Sequence, residues 1–187
     1  MTPFDRSFTF MAKWEGGFSD HPADPGGRTF RGVTEETWRA WLALRGRLRP
    51  EAPRDVKLAS PNKIRALYVH LYWQPSHADG LPLPVCITQF DAAVHSGPGR
   101  AVRLLQQAAG VKQDGLYGPV THRAVLGVDP VTLARDSVRH RRAFLEALVA
   151  TRPALGTFRR GWMNRLADLD AVIGEHVAFE HLTKVGS

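Results

Sequence analysis

Residues 13–34 read KWEGGFSDHPADPGGRTFRGVT, and the organisation of the whole chain is read outward from them. Upstream, Phe8, Met11, Ala12 and Glu15 fall at i, i+3, i+4 and i+7. That spacing predicts a helix whose apolar stripe ends in a carboxylate. Gly16-Gly17 then stops the helix, because glycine is costly in a helix interior and adopts left-handed conformations freely. Asp20, Pro22, Asp24, Pro25, Gly26 and Gly27 make the next segment a loop. A short Thr-x-x-Gly-Val-Thr segment closes it, with a small β-ribbon predicted near Arg28–Val33.

Partial cover by Trp14 and Phe18 would disfavour the charged form of Glu15, leaving it suited to donate a proton. The loop brings Asp20, Asp24, Thr29 and Thr34 back towards it. A carboxylic acid facing a second carboxylate or a held water is the equipment of glycoside hydrolysis. On the residues alone the alternative stands beside it: a solvated helix-end Glu15 and a plain Pro/Gly connection.

The run EGGFSDHPADPGGRTFRGVT resembles the signature of glycoside hydrolase family 108, the muramidase endolysins of phages and prophages. The family pattern is Glu-Gly-Gly-aromatic followed by Asp-Pro-Gly-Gly-x-Thr-x-x-Gly-Ile/Val-Thr. The resemblance implies cleavage of the glycan backbone of peptidoglycan between N-acetylmuramic acid and N-acetylglucosamine, with Glu15 as catalytic acid. The order Glu, Asp, Thr is also similar to the active centre of phage-type lysozymes. By that analogy Asp24 and Thr29 are the catalytic partners, and Asp20 and Thr34 are the rivals for those roles, expected at the substrate.

A chain of 187 residues with 43% hydrophobic and 23% charged residues fits one ordinary globular domain. Its single cysteine, Cys86, excludes an internal disulfide and, within an apolar run, reads as a small core residue. The net charge of +7 points to an anionic partner, whether nucleic acid, lipid or wall polymer. The N-terminus lacks the basic and apolar regions of a signal peptide, and no apolar run suffices to span a bilayer. The expectation is synthesis in the cytoplasm and action on the wall, in the periplasm, after release by another agent.

Along the chain, Asp5 is read as the cap of the first helix. Thr34 caps a second, with Glu35 and Glu36 in its first turn and Trp38, Trp41, Leu42 and Arg45 as its stripe, ending at Gly46. Residues 47–59 read as a basic linker. Ser60-Pro61 opens a helix with Ile64, Leu67, Tyr68, Leu71 and Tyr72 on one face, ending in Tyr72-Trp73. That pair also occurs in the family and either lines a saccharide groove or forms a packing corner. Pro84 opens a helix closed by Ser96-Gly97. Asp91 lies beside its apolar stripe and reads as either a buried structural acceptor, the role favoured, or part of the site. His95 stands where the family often has Asn and receives no role. Pro98 starts another helix.

The segment LLQQAAGVKQDGLYGPVTHRAV, at 104–125, with its Asp-Gly-x-x-Gly-x-x-Thr grammar, resembles the peptidoglycan-binding region forming the second half of that endolysin family. It reads as scaffold continuous with its neighbours. Asp129-Pro130 begins a long helix whose face is marked by Val131, Ala134, Val138, Arg141, Leu145 and Leu148. Its basic run, residues 139–142, reads as a solvated face. The last helix carries Phe158, Trp162, Leu166, Leu169 and Ile173, and Phe158, Gly161, Trp162 and Arg165 again resemble the family.

Eight histidines form no metal-ligand spacing, and there is no phosphate-binding loop or nucleophile elbow. No cofactor and no metal are expected. Two rival classes remain: a basic nucleic-acid-binding helical protein, without any recognised reader motif, and a non-catalytic peptidoglycan-binding or virion-associated protein, against which Glu15 argues. The reading taken is a mainly α chain (α+β with a small β-ribbon), a single lysozyme-like helical domain over 1–187. Residues 5–80 form the catalytic half and 81–180 a peptidoglycan-binding-like half, the two walling a groove. The partner is the peptidoglycan glycan strand, helped by an anionic envelope surface; no specific nucleic acid is involved, and a monomer is expected. If the second carboxylate lies ~6.5–9.5 Å from Glu15 the anomer inverts, the outcome favoured here; ~5–5.5 Å would allow a covalent intermediate.

Overall fold

A computed structural model describes residues 1–15, 18–19, 29–30, 33–44 and 55–185. Among these are eight α-helices and one small sheet, so the chain is mainly α as the periodicities predict. They divide into two compact units, Phe8–Leu71 and the pair of segments Met1–Ser7 and Tyr72–Ser187.

Helix α1 spans Pro3–Trp14. Its start is a capping box, with Thr2 as cap. The Asp5 amide donates to Thr2 Oγ1 (3.1 Å), and the Thr2 amide donates to Asp5 Oδ2 (2.9 Å). Asp5 is thus the reciprocal partner at the third helical position and not the cap itself. The buried stripe is also rotated slightly from the expected one: Ser7, Phe8, Phe10 and Met11 are buried, whereas Ala12 is exposed. Glu15 keeps its place in register with Phe8 and Met11.

In the Phe8–Leu71 unit, strands β1 (Phe18–Ser19), β2 (Thr29–Phe30) and β3 (Val33–Thr34) form an antiparallel sheet in chain order. The expected ribbon is therefore present, with one more strand than the sequence suggested. Helix α2, Glu35–Leu44, buries Trp38, Trp41 and Leu42. The two indoles stack at 5.4 Å with both side chains enclosed, so they are core. Arg45 and Gly46 lie outside the described residues.

The expected linker contains a 3-10 turn, Val56–Leu58, capped by Asp55 and anchored by the fully buried Val56. Helix α3 (Pro61–Tyr68) follows and packs Tyr68 edge-on against Phe8 at 5.5 Å. Arg65 covers the Phe8 ring at 4.9 Å. The chain then widens into a π-helical turn over Val69–Trp73, where the sequence reads as ordinary α-helix.

In the other unit, helix α4 (Val85–Ser96) is the centre, with Val85 to Ala93 buried without interruption. A helix buried on all sides has to be surrounded, and its buried Thr88, Gln89 and Asp91 have to be partnered. Helices α5 (Pro98–Ala108) and α7 (Pro130–Thr151) pack on it; α8 (Gly156–Val185) packs on α7 and reaches α4 through Arg165, and α6 (Pro119–Leu126) packs on α5. Asp129 caps α7 by accepting from the Thr132 amide at 2.8 Å. Gly97, at φ +85°, turns the chain from α4 into α5. Cys86 is fully enclosed, and burial pushes its thiol up to about 11, which makes it inert core.

Candidate active site

Glu15 stands one residue beyond α1, and its amide still donates to the Met11 carbonyl at 3.2 Å. The helix therefore fixes where its backbone sits, and its side chain is half-buried. Beside it, Trp14 is also half-buried, with Lys13 Nζ 5.8 Å from its ring centroid. The Trp14 indole N–H is shielded from solvent and meets no acceptor among the described residues.

The sheet begins three residues later. Its register places Thr29 across from Ser19 on one side and from Thr34 on the other. The rung thus carries three hydroxyl residues, and the next carries Phe18, Phe30 and Val33. Thr34 is engaged as a cap: its Oγ1 accepts from the Thr37 amide (3.1 Å) and donates to Thr37 Oγ1 (2.9 Å). That ties it to α2. Asp20 and Asp24 lie outside the described residues, as does Gly16-Gly17.

Tyr72 and Trp73 belong to the other unit. Trp73 is 6% exposed, with Phe4 and Phe90 edge-on to it at 5.3 and 5.5 Å. Of the two expectations for Trp73, the geometry is that of the packing corner; a ring so enclosed offers no face to a sugar. Tyr72 is half-buried against Ala92, Ala93 and Ala101.

A second charged centre lies inside that unit. Asp91, on α4, accepts from Arg141 Nη1 of α7 at 2.6 Å and from Arg165 Nε and Nη2 of α8 at 2.9 and 2.7 Å. Burial alone would raise the Asp91 carboxyl; the two guanidiniums outweigh it and hold the group below the usual carboxylate range. Arg141 is 2% exposed, so the basic run on α7 is not wholly a solvated face. Its neighbours Arg139 and Arg142 do reach solvent, paired with Asp136 and Asp170.

His95, one turn after Asp91, meets the Trp162 ring edge-on at 5.7 Å, and its Nδ1 lies 3.1 Å from the Ser96 hydroxyl. Burial first, then the charges of Arg141 and Arg165, lower its imidazole to about 4 against the opposing pull of Asp91. The imidazole is therefore neutral at pH 7.

The Asp-Gly segment forms a third feature. The side-chain amide of Gln106 donates to Asp114 Oδ1 (2.8 Å), the Leu116 carbonyl (3.1 Å) and Thr121 Oγ1 (3.1 Å). Its oxygen accepts from the Gly115 amide at 2.9 Å. Gly115 sits at φ +80°, which glycine tolerates. Sequence reasoning marked Asp114, Gly115 and Thr121 as turn residues but missed Gln106. The Gln-Gln pair on an apolar helix stripe was the available signal, since a buried amide needs partners. Among the described residues no group of three or more His, Cys, Asp or Glu is placed to hold a metal.

Comparison with known proteins adds the family. Residues 8–97 match the family described as Glycosyl hydrolase 108, and residues 100–167 match the one described as Predicted Peptidoglycan domain. The structure of Brucella abortus SagA is similar at 34% identity, over 91% of this chain and 92% of that one, with a TM-score of 0.74. No curated protein matches. The two segments together support a glycoside hydrolase that acts on peptidoglycan, with a lysozyme-like helical fold. On the family match, the identity and the coverage, this chain belongs to the glycosyl hydrolase 108 family.

Proposed function

We propose that this protein is a muramidase endolysin, cutting the β-1,4 bond between N-acetylmuramic acid and N-acetylglucosamine with Glu15 as general acid. The observation that carries the reading is the place of Glu15: a half-buried acidic residue at the end of α1, followed three residues later by a rung of Ser19, Thr29 and Thr34. The helix pre-positions the acid.

In this mechanism the protonated Glu15 gives its proton to the glycosidic oxygen as the bond from the anomeric carbon breaks. The leaving sugar departs as an alcohol. The oxocarbenium-like centre takes the oxygen of a water, whose proton passes to a carboxylate. Asp24 is proposed for that base, with Thr29 holding the water, and Asp20 and Tyr72 for contacts to the glycan. The proposed role is phage-type lysis, with a catalytic half over about 5–80 and a peptidoglycan-binding half over about 81–180. The seven excess positive charges suit an anionic envelope. No described helix is long and apolar enough to cross a membrane.

The test is the near-isosteric Glu15→Gln protein on purified sacculi. Turbidity clearing should be lost while circular dichroism and unfolding temperature stay those of the wild type. Clearing at wild-type rate would refute the assignment.

A further inference from the structure

The loop between α5 and α6 encloses a cavity of about 310 Å³ open to solvent. Its walls are aliphatic: Val111, Leu116, Pro119 and Val120, with Leu116 74% and Val120 63% exposed. Its floor is the Gln106 knot, in which Gln106 binds Asp114, Gly115, Leu116 and Thr121 at once. Two exposed charges border it, Lys112 and Asp114. The Leu116 amide and Gln106 hold the Asp114 carboxyl below its usual range, so the edge carries one fixed anion beside one cation.

We infer that this groove binds the peptide stem of peptidoglycan, and not its glycan. The inference rests on the peptidoglycan reading above and gives the second half a substrate element of its own. Sugars are held by open aromatic faces and by polar groups with free hydrogen-bonding capacity. Among the described residues no aromatic ring lines this cavity. The nearest in sequence, Tyr117, has its face covered by His77 at 4.5 Å and its hydroxyl 3.2 Å from His122 Nδ1. Gln106 is buried and its side-chain amide is already engaged with internal partners. What the groove offers is methyl-sized apolar surface beside one cation and one anion. A short stem of alanines with acidic and diamino residues presents that complement: methyls for Leu116, Val111 and Val120, carboxylates for Lys112, and an ammonium for Asp114.

The test uses the full chain and two probes, a synthetic stem tetrapeptide and glycan oligomers stripped of peptide, with amide NMR as readout. The tetrapeptide should shift the amides of Val111, Lys112, Leu116 and Val120. Leu116→Ser should weaken it roughly tenfold and Lys112→Ala several-fold. Both positions are exposed, so the variants keep the fold, which the unperturbed remainder of the spectrum reports. Stripped glycan shifting these amides while the peptide does not would overturn the inference; so would neither probe shifting them at millimolar concentration. Repeating the titration with Glu15→Gln separates the two readings, since loss of hydrolysis should leave this binding intact.

Discussion

Replacing His95 by asparagine should remove a loss of stability that the wild type suffers between pH 7 and pH 5. In the folded protein the imidazole is held at about 4, against 6.5 when exposed. As pH falls through 6.5 the unfolded chain takes up a proton that the folded chain refuses until about 4. Unfolding is therefore favoured by acid across that window, and the contribution is complete only above 6.5. The full gap is equivalent to about 3 kcal/mol, and at pH 5 about 2 kcal/mol of it has gone. For a chain of this length that is a fall of roughly 4–8 °C in unfolding temperature. Asparagine does not titrate, so its loss of the Trp162 and Ser96 contacts is a constant offset at every pH. The assay is urea unfolding of both proteins at pH 7, 6 and 5 at fixed ionic strength, with an NMR titration of the imidazole. The other histidines are common to both and cancel in the difference. Equal pH slopes in the two proteins, or an imidazole titrating near 6.5 when folded, would refute the reasoning.

The other predictions concern the same two units. Asp91→Ala would leave Arg141 and Arg165 without their carboxylate in a dry site, so calorimetry should show a loss of roughly 3–5 kcal/mol. Trp73→Ala should lower stability by roughly 3–5 kcal/mol because Phe4 and Phe90 lose the ring between them. Tyr72→Ala, half-buried, should instead raise KM on sacculi with a smaller stability change; the opposite ranking of the pair in unfolding experiments would contradict their placement. Activity on whole envelopes should fall as salt rises, because the net charge of +7 acts through screened attraction. An unchanged rate from low to high salt would remove the envelope contact.

Much of the fold is legible because helix punctuation is local. Asp129-Pro130, Pro98 and Ser96-Gly97 each act within a turn or two, and helices begin or end there. The Trp38–Trp41 pair is favoured as core by its spacing, which leaves a sugar platform open; the stacked, enclosed indoles decide for core. Thr2 was missed as cap although Thr-x-x-Asp is a capping pattern, because Asp5 is a capping residue type itself. The π-helical turn at 69–73 leaves no mark in the periodicity. The buried ionic centre was half legible: Asp91 and Arg141 each sit on an apolar stripe, where a charge has to be paired. Which charges meet is set across 50 and 74 residues, and spacing carries no information at that range. At the candidate site, the acid at the helix end and the ribbon beyond it were legible, and Thr34 proved to be the cap that its position predicted. Asp20 and Asp24 lie outside the described residues, so their roles stand as proposals.

The most direct measurement of the central claim is mass spectrometry of the soluble fragments that the wild type and Glu15→Gln release from purified sacculi. The wild type should release fragments with reducing N-acetylmuramic acid ends and the variant none, at equal folded content. Reducing N-acetylglucosamine ends, newly freed amines, or the same fragments from both proteins would contradict it.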